Sequence, residues 1–332
     1  MKAQTGVFGL RLLGTGQALP RREVSTTEVA ALCGVNAEVA QNRSGVRVRR
    51  WLSEGETVLS LGAEAARAAL KAANLNAGDV DVLLNASGSQ AQPIPDGGAL
   101  LARELGLRGK AAYSLHGTCL SFLLALQHAG LLIAGGLAER VLIVSSEAGS
   151  KGLNFAQPES SLLIGDGAAA VVLGPAEHEG QGLHAARFET YPEGADHTRI
   201  RGGGSLLRPA DPQVTPEDFT FDMHGLQVLK LASQVVPGFL ERLRPGLSAG
   251  LPGIDRVIPH QASLAGLKLM QRGGWPEDRT EVTLTHLGNV IAASLPLTLH
   301  QAVSQGRAKR GETLLMVGTG AGLTAGGVIW QL

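Results

Sequence analysis

The sequence predicts an α/β protein whose two halves repeat one order of strands and helices. Short apolar runs of strand length alternate with longer helical runs, the pattern of strand–helix–strand crossovers and buried sheets. That order occurs twice along the chain. The 332 residues are rich in Gly, Ala, Leu and Val, and only 4% are aromatic, a length that fits one large or two fused domains. The division falls between residues 1–175, which carry Cys119, and residues 176–332, which carry His260 and Asn289.

Taken in order, the start of the chain, MKAQTGVFGLRLLG, lacks the charged, apolar and cleavable regions of an export signal and reads as a strand. Residues 80–86 read as a strand, 98–105 as a helix and 111–115 as a second strand that breaks at His116-Gly117-Thr118. A long apolar helix then starts at Cys119, followed by strands at 141–145 and 168–173. The second half gives a strand at 256–258 running into Pro259, a helix at 263–271, and a strand at 282–285. That last strand is assigned because Val282, Thr283, Leu284 and Thr285 alternate with β-branched residues. A helix at 291–304 and strands at 313–317 and 324–331 close the pattern. If the halves are related by a pseudo-twofold, Cys119 and Asn289 fall at equivalent helix starts and share one cleft. Between the halves, residues 199–222 are rich in Gly, Pro, Asp and Arg without period and read as a mobile or capping loop.

Chemistry concentrates at the junctions. A thiol at a helix N-terminus feels unpaired N–H groups and the positive end of the macrodipole, which favour thiolate. By itself Cys119 reads equally well as a small buried hydrophobe. His260 in Pro259-His260-Gln261 and Asn289 after Gly288 each stand where a strand gives way to a helix, a usual place for ligand-binding groups. Gly318-Thr319-Gly320-Ala321-Gly322 breaks a buried strand where backbone can approach a ligand closely. Gly202-Gly203-Gly204-Ser205 lacks the ending and the frame of a phosphate loop, and GTG at 14–16 lacks the third glycine of a dinucleotide site. The nine histidines show no metal-ligand spacing, so no metal or organic cofactor is expected. Equal numbers of basic and acidic residues argue against nucleic-acid binding. No apolar stretch is long enough to span a bilayer. Two cysteines, with Cys33 read as structural, fit a reduced cytoplasm.

In chain order, Cys119, Pro259-His260-Gln261 and Gly288-Asn289 resemble the ketoacyl synthase III branch of the thiolase superfamily. The resemblance covers nearly the whole chain. LLGTGQALP is similar to the family's opening IxGxGxYLP, and Asn42-Arg43-Ser44-Gly45-Val46-Arg47 to TRTGIRER. Ile164-Gly165-Asp166-Gly167-Ala168 is similar to FGDGAGA, and Gly320-Ala321-Gly322-Leu323-Thr324 to GGGFTWG. The resemblance implies a thiolase fold with a layered αβαβα core. It also implies a condensing enzyme that starts fatty-acid synthesis: Cys119 is acylated from an acyl thioester, and His260 and Asn289 stabilise the enolate formed when malonyl-carrier protein loses CO2. Backbone N–H groups of Cys119 and Ala321 would form the oxyanion hole. Acyl carrier protein is the implied partner, and the implied assembly is a homodimer in which Ile94 of one subunit caps the acyl channel of the other.

Departures from the family pattern bear on the substrate. A Trp expected before the Arg-Thr-Gly motif is Val39, a clamping Arg falls near Pro158, and two further contacts are Leu226 and Ala265. Arg43 alone remains of the family's coenzyme A contacts. Thr319 and Leu323 replace aromatic residues of the family, which leaves room for a longer or bulkier acyl group. Two other readings follow: a non-decarboxylative condensing or acyl-transfer enzyme of olefin or secondary metabolism, and a non-catalytic acyl-binding subunit.

Overall fold

The computed structural model describes residues 8–332; the strand expected at the start of the chain lies, for its first seven residues, outside the described residues. Two five-stranded sheets dominate. In the first the order is Arg11–Ala18, Asp166–Gly174, Val141–Ala148, Val82–Asn85, Ala111–Ser114. In the second it is Phe8–Gly9, Gly182–Thr190, Thr324–Gln331, Thr313–Gly320, Arg256–Pro259. Both sheets run antiparallel along one side and turn parallel towards the far edge.

Strand residues are buried on both faces, which is why they read as continuous apolar runs and not as alternating ones. Val82 and Leu84 face the helix Ser121–Ala134, while Leu83 between them packs with Leu61, Ala65 and Ala69 of the helix Val58–Ala72. Ser121–Ala134 and the helix Ser294–Ser304 share one core cluster with strand residues of both sheets, among them Ile143, Val171, Ile258 and Met316. These two helices form the middle layer. On the outer face of the second sheet, Phe239, Leu240 and Leu243 of the helix Gly225–Leu243 cover Val257, Leu315 and Ile329. The layers therefore run helix, sheet, helix, sheet, helix. Gly14 and Gly16 of the opening motif serve this packing: a Cβ at Gly16 would stand 2.3 Å from the Ala65 carbonyl oxygen and 2.4 Å from the Ala69 nitrogen.

One expected strand is absent. Residues 282–285 do not pair in a sheet; Leu284–Leu287 forms a single helical turn, and the only pairing nearby is an isolated parallel bridge of Thr280 to Val257. The cause is Gln261, fully buried, whose side-chain oxygen accepts the N–H groups of Thr283 and Leu284, both at 3.0 Å. Donors that a ladder would use are taken by a side chain, and β-branched composition does not outweigh this. The helices Thr26–Leu32, Ala37–Ser44 and Val58–Ala72 and the strand Gly182–Thr190 also lie outside the repeat read from sequence. So does Gly225–Leu243, which continues through an internal Pro237. The 199–222 segment is mostly irregular, and its ends clasp through the paired strands Thr198–Arg199 and Asp222–Met223.

The repeat also differs from expectation at its most informative point. Thr118–Leu120 and Ile291–Ala293 are each one 3-10 turn opened by a non-glycine residue at positive φ, 50° and 45°. Each leads into a helix beginning with serine, and each hydroxyl accepts an N–H from four residues earlier: Ser121 from Gly117 at 3.0 Å, Ser294 from Val290 at 2.9 Å. Cys119 is thus equivalent to Ala292, and Asn289 precedes that position by three residues.

Asn289 is fixed by a backbone pinch. Its N–H donates to Leu163 at 2.8 Å, and its carbonyl accepts from Gly165 at 3.0 Å. A Cβ at Gly288, where φ is 70°, would lie 2.4 Å from the Leu163 carbonyl oxygen, and one at Gly165 2.3 Å from that of Leu287. Gly288→Ala is expected to lower unfolding stability by roughly 2–4 kcal/mol, from backbone strain plus the clash. Urea denaturation checks this; a loss under about 0.5 kcal/mol, the scale of a neutral surface change, would show that the pinch is not tight.

Candidate active site

A cavity of about 730 Å3 brings together Cys119, His260, Asn289, Arg43, Thr319 and Ala321. Its outer walls are apolar and come largely from the helix Gly225–Leu243, through residues such as Leu229, Val236 and Leu240. No helix is expected here from sequence, since Pro237-Gly238 is a pair that signals a break, yet the helix runs through it. Ile94 is not part of the lining: it stands 87% exposed on a loop of its own.

Cys119 sits in the middle of the 3-10 turn, one residue past the positive-φ Thr118, and not on the first turn of the α-helix. This elbow turns the thiol towards the cavity, where the N–H groups of Ala321 and of Cys119 itself reach Sγ. The dipoles that favour a thiolate are not the strongest influences on this thiol. Burial, and after it the nearby Glu147 carboxylate, push the Cys119 thiol up to about 12, and the two N–H groups offset only part of this. Desolvation penalises the charged form of any group, and a like charge adds to it. Cys33, the second free cysteine, is also raised, chiefly by burial.

The glycine run has a double task. A Cβ at Gly318 would come within 2.5 Å of His260 Cβ, and one at Gly320 within 2.5 Å of Thr118 Oγ1. The glycines therefore let the strand Thr313–Gly320 lie against both the histidine and the elbow, and the chain then turns so that the Ala321 N–H meets Sγ. His260 follows the strand Arg256–Pro259 and is anchored by its own N–H to Val317 at 2.8 Å. Burial lowers its imidazole to about 4, so the ring is neutral near pH 7, and its Nδ1 is buried without a partner. Neighbouring Gln261 points elsewhere: its amide donates to the carbonyls of Pro259 at 2.8 Å and Glu281 at 3.2 Å, and it staples the loop. Asn289 is orientated by two bonds, Oδ1 accepting from the Ile291 N–H at 2.9 Å and Nδ2 donating to Ala262 at 3.2 Å. Nδ2 carries two hydrogens, so one N–H remains for a ligand.

The cavity is poor in net charge. Arg43 and Glu159 line it with opposite signs, beside Pro158, Leu226 and Ala265; Val39 is half exposed and outside the lining. It presents a thiol that can accept an acyl group and neutral groups that can donate hydrogen bonds to developing oxyanions, in place of cations. Among the described residues no cluster of three or more metal-ligating side chains occurs, and no helix is long and apolar enough to cross a membrane. Sequence reasoning missed Glu147, a fully buried carboxyl at the end of the strand Val141–Ala148. The signal was present, since an acidic residue closing so apolar a run as VLIVSSEA must find donors.

Comparison with known proteins finds relatives over most of the chain. Residues 250–332 match the family described as 3-oxoacyl-[acyl-carrier-protein] synthase III C terminal, and residues 113–192 match 3-oxoacyl-[acyl-carrier-protein] synthase III. The chain is 34% identical over 324 residues to a β-ketoacyl-[acyl-carrier-protein] synthase III of Brucella suis, covering 95% of this chain and 97% of that one. The 3-oxoacyl-[acyl-carrier-protein] synthase III of Aquifex aeolicus superposes with a TM-score of 0.87 at 26% identity, over 98% of this chain and 100% of that one. A priming β-ketosynthase of a polyketide biosynthetic pathway gives 0.87 at 28% identity, over 98% and 96%.

The raised thiol has a direct test. Between about pH 6 and 9, where an ordinary cysteine ionises, ultraviolet absorbance at 240 nm in the wild type minus Cys119→Ala is expected to show no thiolate band. A band complete by neutral pH would mean that the helix and N–H dipoles outweigh burial and Glu147.

Proposed function

The chain belongs to the 3-oxoacyl-[acyl-carrier-protein] synthase III family, and on that premise we propose that Cys119, His260 and Asn289 carry out a two-step acyl condensation. The observation that carries the reading is the convergence of these three side chains and the Ala321 N–H on one cavity. In the first step Cys119 Sγ attacks the carbonyl of an acyl thioester. The new S–C bond forms, the old one breaks, and the thiol proton ends on the departing thiol, so a cysteine that rests protonated delivers its proton as it reacts. The N–H groups of Cys119 and Ala321, already at Sγ, serve the oxyanion of the tetrahedral intermediate.

In the second step a malonyl thioester occupies the cavity mouth. CO2 leaves, and the electron pair of the broken C–C bond moves onto the thioester oxygen as an enolate. Neutral imidazole and carboxamide stabilise that oxygen by donating hydrogen bonds from His260 and Asn289. The carbanion carbon attacks the acyl-Cys119 carbonyl, the Cys119 sulfur leaves and regains a proton, and a 3-oxoacyl thioester is released. A cationic imidazole would be costly where burial holds its pKa at about 4. No cofactor enters these steps. The acyl and malonyl groups arrive on thioesters, malonyl on acyl carrier protein, in a cytoplasmic setting. The halves 1–175 and 176–332 act as one unit, the first supplying the nucleophile and the second the enolate donors.

Arg43 and Thr319 contribute to the acyl-donor side of the site, and the apolar Pro158, Leu226 and Ala265 with acidic Glu159 disfavour a nucleotide's phosphates there. This favours a second reading, in which the same acyl-Cys119 transfers to, or condenses with, another acyl group without decarboxylation. The assembly is a homodimer. Ile94, 87% exposed in the single chain, would be buried in the partner's acyl channel.

Intact-protein mass spectrometry after exposure to acyl-CoAs and acyl-carrier proteins is expected to show one acyl group on the wild type and none on Cys119→Ala. An acyl adduct that survives in Cys119→Ala would sink the mechanism. His260→Ala and Asn289→Ala are expected to load acyl groups yet lose malonyl decarboxylation by roughly a hundredfold or more. If loading persists and the wild type never decarboxylates malonyl-carrier protein, the second reading replaces the first. Ile94→Trp is expected to shorten the longest acyl chain accepted while acetyl loading and the dimer persist; a monomer in sedimentation equilibrium at micromolar concentration contradicts this assignment.

A further inference from the structure

Glu147 is fully buried, is not among the residues lining the cavity, and has no task in the reaction just described. Its carboxylate collects the Gly88 N–H, the Ser89 N–H at 2.9 Å and the Ser89 hydroxyl at 2.6 Å, and it lies close enough to the Ala292 N–H for that dipole to favour its charge. Glu147 therefore holds the loop after the strand Val82–Asn85 where it abuts the turn Ile291–Ala293 of the other half. Gly88 shows how close these segments come. A Cβ there would lie 2.6 Å from Ile291 Cγ2, 3.3 Å from the Thr118 carbonyl oxygen and 3.4 Å from Glu147 Oε1. Gly88 is thus wedged between the two positive-φ residues, with the Glu147 carboxylate beside it. Such backbone conformations persist only where the surroundings over-determine them.

We propose that Glu147 is a positioning residue of the acyl-transfer site, whose carboxylate locks the paired elbows at Thr118 and Ile291 and whose negative charge opposes that of a Cys119 thiolate. The proposal rests on Cys119 being the acylated residue. All the partners that hold Glu147 are N–H and O–H dipoles, so its charge is not cancelled by a cation. The ionisable groups on the elements packed around it are Cys119, Asp166 on the adjoining strand, and His116, whose Nε2 bonds the Gly88 carbonyl at 3.1 Å. Lys151 on the following turn acts on Asp166. Burial raises Glu147 itself to about 7, so its charge develops as pH rises through neutrality and then opposes ionisation of Cys119.

The test uses the full chain with Cys33→Ser, so that Cys119 is the only thiol. Glu147→Gln keeps the shape and removes the charge. Expected are a fall of roughly one pH unit in the midpoint of Cys119 alkylation by iodoacetamide and a loss of roughly ten- to a hundredfold in the rate of acyl loading. A thiol that ionises more readily yet acylates more slowly is not the mark of a merely loosened fold. Glu147→Asp, which keeps the charge, is expected to hold the parental midpoint. With native circular dichroism, an unchanged midpoint in Glu147→Gln overturns the electrostatic role and unchanged loading overturns the positioning role. If Glu147→Gln does not fold, Ser89→Ala strips one donor from the carboxylate, and a parental loading rate in that variant overturns the proposal. Should the parent take up no acyl group, the functional reading fails, while the alkylation midpoints still test the charge effect of Glu147.

Discussion

Two helices too apolar to face water determine the rest of this architecture. Ser121–Ala134 buries eight of its 14 residues, and Ser294–Ser304 eight of its 11. A helix that is hydrophobic all round is stable only inside a core, and here that core lies between two sheets. Each helix follows a 3-10 turn of the same form, and both begin at one end of the middle layer. The turns before them, at Thr118–Leu120 and Ile291–Ala293, must then meet. Polar backbone left over at those starts has no water to turn to, so it is satisfied by serine hydroxyls, by Glu147, or by Sγ of Cys119. The Cys119 thiol lies where the burial of two apolar helices leaves N–H groups to spare.

Catalytic potential in this setting comes from dipoles and not from charges. Burial holds His260 neutral and Cys119 protonated, and Glu147 titrates close to neutrality. Neutral donors held in fixed directions serve a transient oxyanion well, because they need not reorganise when charge appears. Each direction is set by a specific contact. The Asn289 amide is orientated by Ile291 and Ala262, the histidine is backed by Gly318, and the Ala321 N–H is placed by the glycine run. The Gly165–Gly288 pinch carries the amide into position, which gives the two glycine motifs a mechanical meaning.

Substrate choice is written in the walls. Arg43 and Glu159 offset each other, and apolar side chains fill the remaining mouth. A cavity of this kind gains affinity mainly from burying apolar surface, with few polar groups to fix orientation.

The sequence by itself placed the strands it read in the repeat, 282–285 excepted, and pointed to the side chains Cys119, His260 and Asn289. Those features were legible because apolar runs and glycine breaks are local, and because the ordered motifs lie in one resemblance. Tertiary structure alone decided the rest. Thr283 and Leu284 left the sheet because Gln261, distant from them in sequence, took their N–H groups. Asn289 fell three residues before the true counterpart of Cys119, since the equivalence rests on backbone turns and serine bonds and not on which side chain is polar. The thiol rests protonated although a helix follows it, because desolvation and a carboxylate from another strand outweigh local dipoles. A residue's neighbours along the chain set its conformation; its protonation is set by what the fold brings around it.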